Sequence, residues 1–424
     1  MKRKKFDFNF RLVIISKIIS VFGGNILGFA MILFLVDFTG SAALLGMISA
    51  ASQVPTVFLT PFAGMIADRM NKKQLIVFFD VLTALSNFFF LWLLITQTYT
   101  ILNITVLRMI KISISVFAAT VFNAAVPRIV EEEQLVGANG ALQSIAAIGM
   151  IGGSVVGGIL FGIIDIQTIA LASGILFLVS AGISMLIKIP YVKMKAIGSM
   201  VKTVKSDMSE SFKFLKNEKP IVFKLALTTS IITFLLPPIF MVGLPFIVGV
   251  IFGQQVTLSF GIAAVGMLAG GIAAGNLTKY LAIKHYAKWI AAIGATGLLL
   301  AVTFPPFLRE SFIAFWIFNL VLAVMLFIFA LINSSFGAFM QKEVPEHLLG
   351  KVNSLIGMIS LIVGPLGMLT VGFLIEMISL PVFFLGVAVI TWIVAVICSQ
   401  ILKTYFLKKD LNNDKYHKNG VNER

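Results

Sequence analysis

The stretch "VLRMIKISISVFAA" sets Arg108 and Lys111 three residues apart in an otherwise apolar run, so on a helix both cations share one face. A cation at the bilayer centre costs about 2.5–3.5 kcal/mol on insertion scales, a penalty that two neighbours recover from water or an anion in a cavity. For Lys111 the alternative is snorkelling, with its stem along hydrocarbon and its ammonium at an interface. Lys17 and Asp80 lie in two other apolar runs, each about 9 Å from the same end at 1.5 Å per residue. They form either a structural pair or part of a charged pathway. No carboxylate stands at mid-depth, and Asp37 sits at the far end of the first run. Asn25, Gln53, Asn123 and Asn333 are uncharged polar groups in the first, second, fourth and tenth runs, and either face a pore or pack between helices.

Enzymatic chemistry finds little to work with. The only histidines, His285, His347 and His417, fall between or beyond the apolar runs, and no nucleotide-binding or metal-ligand spacing surrounds them. No cofactor is implied. The single Cys398 permits no internal disulfide.

These residues must be positioned by elements that cross a membrane. The 424 residues are 59% hydrophobic and 12% charged, with a mean hydropathy of +1.02, which no soluble core of ordinary proportions accommodates. Runs of about 20 residues or more suit the hydrocarbon thickness. Twelve are expected: 11–37, 42–67, 74–96, 101–123, 138–164, 168–189, 221–251, 256–281, 287–306, 311–339, 351–377 and 380–407. Strand-like alternation is missing, so the spans are predicted as helices rather than barrel strands.

The net charge of +15 follows topology, not nucleic-acid binding. Basic residues cluster on the side of "MKRKK", at Arg69/Lys72/Lys73, Lys188 to Lys219, Lys279/Lys284/Lys288, Lys342/Lys351 and after Lys403, with Arg309 opposite. The positive-inside rule therefore predicts cytoplasmic N- and C-termini, with the first span retained.

The lysine-rich segment 190–220 divides the spans, giving expected domains at 1–189 and 221–407 and a cytoplasmic tail at 408–424. Within the segment Val201, Val204, Met208, Phe212 and Leu215 recur every three or four residues, as in an amphipathic surface helix; a solvated linker is the alternative. A trace of duplication links the halves. Glu132, Leu135, Asn139, Gly153 and Gly158 match Glu346, Leu349, Asn353, Gly367 and Gly372, each 214 residues on.

Three motifs carry a family resemblance. "GMIADRMNKKQ", with Gly64, Asp68, Arg69, Lys72 and Lys73, resembles motif A of the major facilitator superfamily; Asn71 replaces a usual glycine, and asparagine tolerates the left-handed turn. The resemblance implies a cytoplasmic charge latch in which Asp68 meets a helix end of the other half. Arg108 resembles the arginine of motif B, linked to proton coupling. "GMIGGSVVGG" resembles the antiporter motif C through Gly149, Gly153, Ser154, Gly157 and Gly158, with serine at the family's proline. Gly149, Gly153 and Gly157 form a flat stripe, expected to face Gly266/Gly270 and Gly271/Gly275 of span eight; packing without directional meaning is the alternative.

With "VEEEQLVGANGALQS" and "GKVNSLIGMISLIVGPLG", nearly the whole chain looks like the macrolide-efflux branch of that superfamily. The resemblance implies an all-α fold of two pseudo-symmetric six-helix bundles in a bacterial plasma membrane, acting as a monomeric secondary transporter. It implies export of a moderately large organic compound in exchange for protons; if protons drive transport, the candidate carriers in this sequence are Asp37, Asp80 or a carboxylate on the substrate. Export of a siderophore or other metabolite, lipid flipping and import are alternatives on the same fold.

Overall fold

The computed structural model describes residues 7–131, 134–190, 208–251, 256–276, 283–302 and 312–421. Within its helices, the side chains of Pro61, Asp68, Val136, Ile151, Ile251, Gly275, Asn276, His347 and residues 408–421 lie outside the described set. Val201, Val204, Lys279, Arg309 and Glu132 also lie outside the described residues.

Among the described residues, twelve helices are long and apolar enough to cross a membrane. We number them α1 (Phe8–Thr39), α2 (Ala42–Arg69), α3 (Lys72–Ile95), α4 (Ile101–Ala125), α5 (Leu135–Phe161) and α6 (Ile166–Leu186). The later ones are α7 (Pro220–Pro238, continued by wider π-helical turns to Ile251), α8 (Val256–Asn276), α9 (Tyr286–Val302), α10 (Phe312–Glu343), α11 (Glu346–Met377) and α12 (Leu380–Val421). Among the described residues there is no strand. The fold is all-α, as the unbroken apolar runs predict.

Short polar breaks separate the spans because local side chains satisfy the helix ends. Ser41 caps α2 by accepting from Leu44 N at 3.1 Å, and Thr100 and Asn103 form a reciprocal capping box on α4. Gly40 ends α1 in the left-handed region at φ 56°, with its N–H donating to the Val36 carbonyl.

The chain groups into two compact units, whose first division lies between Val204 and Lys205, inside the 190–220 segment. The first comprises Met1–Val204, Phe240–Gly261 and Met368–Phe373; the second comprises Lys205–Ile239, Ile262–Gly367 and Leu374–Arg424. A second division falls within α7, where Pro237 and Pro238 interrupt the regular ladder and π-helical turns take over at Ile239–Gly243 and Ile247–Ile251. Composition marked the charged linker, but could not show that the later part of α7 packs on α1.

In the second unit, residues 208–218 turn Ser211, Phe214 and Leu215 inward. Phe212, expected on the buried face, is exposed and instead meets the Phe223 ring with centroids 5.6 Å apart. Lys351 Nζ reaches Glu210 Oε2 at 2.7 Å. Lys219 Nζ donates to Glu343 Oε2 at 2.8 Å, and Tyr405 Oη–H to Glu343 Oε1 at 2.9 Å. Cys398 of α12 is fully buried.

The glycines matched by the internal repeat occupy corresponding places. A Cβ on Gly153 would overlap Asn25 of α1, and one on Gly367 would overlap the Phe234 backbone of α7, the first span of its own half. Gly158 abuts Thr257 at the start of α8, while Gly372 abuts the Ala42 carbonyl at the start of α2. Small residues let helix backbones approach, which offsets the intrinsic cost of glycine in a helix.

Candidate functional site

A cavity of about 420 Å³ opens among α1, α3, α4 and α6 in the first unit. Its lining brings together Lys17 and Asn25 of α1, Asp80 of α3 and Lys111 of α4, all singled out by sequence. Helical spacing explains the convergence on α4: Ile104, Leu107 and Ile114 fill the packed side, leaving Lys111 and Ser115 along the cavity.

Lys17 and Asp80 do not form an ion pair within 4.0 Å. Ser180 Oγ donates to Asp80 Oδ2 at 2.9 Å, with Ser184 Oγ at 3.5 Å from the same oxygen. Ser16 Oγ lies 3.0 Å from Ser180 Oγ and 2.8 Å from Ser184 Oγ, so α1, α3 and α6 share one hydroxyl-carboxylate network. Lys17 Nζ stands 4.3 Å from the centroid of the Phe122 ring, a cation–π position. The two residues remain near enough to interact electrostatically through the cavity.

Lys111 Nζ has the Met31 thioether sulfur at 3.6 Å, a weak acceptor. Arg108, one helical turn earlier, keeps Nε buried with no hydrogen-bond partner. The side chains are drawn into the protein rather than presented wholly to an interface, which favours a cavity over snorkelling for Lys111.

Sequence reasoning missed Ser16, Ser180 and Ser184. Ser173, Ser180 and Ser184 recur at seven and four residues on α6, a polar stripe that helical periodicity makes visible. Ser173 extends the stripe by accepting from Asn87 Nδ2 at 3.1 Å and donating to the Gly23 carbonyl at 2.8 Å.

Other candidates fall elsewhere. Asp37 is exposed near the end of α1, and Asn123 is exposed on α4. Asn333 donates to its own helix at the Phe329 carbonyl, 2.9 Å away, and Gln53 accepts from Thr56 at 3.5 Å. None of these four lines the cavity.

The expected glycine seam is also rearranged. The Gly149, Gly153, Gly157 face lies against Val21, Asn25 and Ile26 of α1. Gly266 and Gly270 instead press on the α10 backbone at Ala323 and Phe327, Gly271 has open space, and Gly275 lies outside the described side chains. A four-residue stripe specifies a close neighbour but not which one. Contact between α5 and α8 comes from the adjacent faces, through Gly158–Thr257 and Val155–Gly261. Ser154 Oγ donates to the Met150 carbonyl of its own helix at 2.7 Å.

At the turn between α2 and α3, Asn71 is extended (φ −67°, ψ 110°), so the expected left-handed role is corrected. Its Oδ1 instead caps α3, accepting from Lys73 N at 3.0 Å and Gln74 N at 3.4 Å. Lys72 is buried and donates to the Ala67 carbonyl at 2.7 Å, satisfying the end of α2. Gly64 lies earlier on α2, Arg69 is its last residue and Lys73 lies in the first turn of α3; the Asp68 side chain is outside the described set.

The chain is 25% identical over 409 residues to Macrolide efflux protein A of Streptococcus pyogenes, covering 94% of this chain and 97% of that protein. It is 26% identical over 338 residues to Macrolide efflux protein A of Enterococcus faecalis, covering 78% and 100%. In fold it is similar to the nucleoside transporter NupG, with a TM-score of 0.73 at 15% identity, covering 94% and 100%. The model of the Major Facilitator Superfamily matches residues 13–368, and the chain belongs to that superfamily as a multi-pass membrane transporter.

Proposed function

We propose that the protein exports a moderately large organic amphiphile, of macrolide-like size, by alternating access in exchange for protons. The observation that carries this reading is the first-unit cavity, where buried charges stand among apolar walls. Such a combination suits a ligand with an extended apolar body and a few polar groups. The resemblance to motif C and the similarity to macrolide efflux proteins support the outward direction.

In this reading the protein acts as a monomer in a bacterial plasma membrane with both termini cytoplasmic. Lys17, Asp80, Arg108 and Lys111 serve the cavity, and Gly64, Asp68, Arg69, Lys72 and Lys73 serve a cytoplasmic latch. Asp80 is the proposed proton carrier because it is the cavity's carboxylate.

Efflux from loaded cells provides the test. Expression should lower the retained amount of a panel of toxic amphiphiles, and a protonophore should abolish the difference. Unchanged retention of every compound would overturn the export reading; retention lowered equally with and without the protonophore would overturn proton exchange alone.

A further inference from the structure

We propose that the first-unit cavity is an organic-anion site, with Lys17 and Lys111 receiving a carboxylate or equivalent anionic group of the transported amphiphile. This deepens the export reading and rests on it, because it assigns the charge of the solute that the cavity would carry.

The charge inventory of the lining is unbalanced. Among the described lining residues, Lys17 and Lys111 face the cavity with Asp80 as the sole carboxylate, leaving one excess positive charge even with all three ionised. Arg108 adds a further cation one helical turn from Lys111. Among the described residues, no carboxylate lies within 4.0 Å of Lys17, Lys111 or Arg108. Asp80 is occupied by Ser180 and Ser184, so its hydrogen-bonding capacity is met in part without either lysine.

The lysines rest on weak substitutes for an anion: an aromatic face for Lys17 and a thioether for Lys111. A charge-assisted N–H···O bond to a carboxylate is shorter and stronger than these contacts. In a cavity with low-dielectric walls, the surplus positive charge attracts an anion and opposes a cation. Ile76, Ile112, Phe122 and Phe177 provide apolar surface for the rest of the molecule. The arrangement therefore fits an amphiphilic anion better than an amine of the same shape.

Fluorescein and rhodamine 6G provide probes with related ring systems and opposite charge character. Full-length protein in phosphatidylcholine nanodiscs would be titrated with each and followed by fluorescence anisotropy. Fluorescein should bind at least about tenfold more tightly, and Lys111→Gln should weaken it about tenfold, while Lys111→Arg retains most affinity. Lys17→Gln supplies the same readout should Lys111→Gln not fold.

Equal or tighter binding of rhodamine 6G, or no loss of fluorescein affinity in a folded lysine-to-glutamine variant, would overturn the proposal. Nanodiscs with added phosphatidylglycerol separate a solute site from a lipid-headgroup site. Unchanged fluorescein affinity supports the former, whereas complete displacement by the lipid overturns it. Efflux of amphiphiles combined with preferential cation binding would defeat the anion assignment while leaving export intact; anion binding without efflux of any compound would defeat export instead.

Discussion

Gly158 lies against Thr257 at the start of α8, while Gly372, 214 residues later, lies against Ala42 at the start of α2. Each glycine from one half of the sequence therefore touches the second span of the other, at sites related by the internal repeat. The Ala42 contact is to a backbone carbonyl, which cannot escape by changing rotamer. Gly372→Leu should abolish efflux while leaving membrane insertion, through overpacking of about 1–3 kcal/mol. Gly364→Leu is the control, because a Cβ at Gly364 meets nothing within 4 Å. Efflux rate normalised to membrane-fraction protein checks the contrast; equal activity in both variants would show that the close approach is dispensable.

Asp80→Asn should remove proton-coupled movement in an acid-jump assay, while Asp37→Asn retains it. Asp80 lines the cavity and Asp37 does not. The measurement is solute flux in proteoliposomes after external acidification. Intact coupling in both variants would leave a substrate carboxylate as the remaining named carrier.

Ser180→Ala and Ser184→Ala together should lower thermal stability, by about 1–3 kcal/mol, because Asp80 loses both hydroxyl donors inside the protein. Thermal unfolding in detergent measures the loss. Adding Asp80→Asn should restore part of it by removing the poorly solvated charge. An undiminished midpoint in the double serine variant would assign little stabilising value to this network.

Asn71→Ala should destabilise α3 by about 1 kcal/mol, whereas Asn71→Gly should cost only a few tenths. The asparagine is an N-cap, with its oxygen receiving two backbone N–H groups. Amide hydrogen exchange over the first turn of α3 provides the readout. Faster exchange in the alanine variant is expected; unchanged protection would argue against a stabilising cap.

The span limits were largely legible because hydrocarbon thickness and backbone satisfaction act directly on sequence, as the agreement at 42, 101 and 380 shows. Lys17, Asp80 and Lys111 were also legible as costly charges. Their partners were not. Sequence could mark the α5 glycine stripe, but its contact with α1 depends on three-dimensional packing. Ser16, Ser180 and Ser184 escaped notice because a lone serine is ordinary in a membrane helix; the four-residue interval on α6 was the available clue. At Asn71, residue type allowed both a left-handed turn and an N-cap, and the neighbouring amides selected the cap.

Cys398 is the chain's only thiol and is fully buried in α12. A cysteine introduced at an exposed position would consequently face little competition from the native one for a bulky maleimide. The natural sequence thus offers a nearly silent labelling background, in which a dye at one chosen site can report motion without first rebuilding the protein.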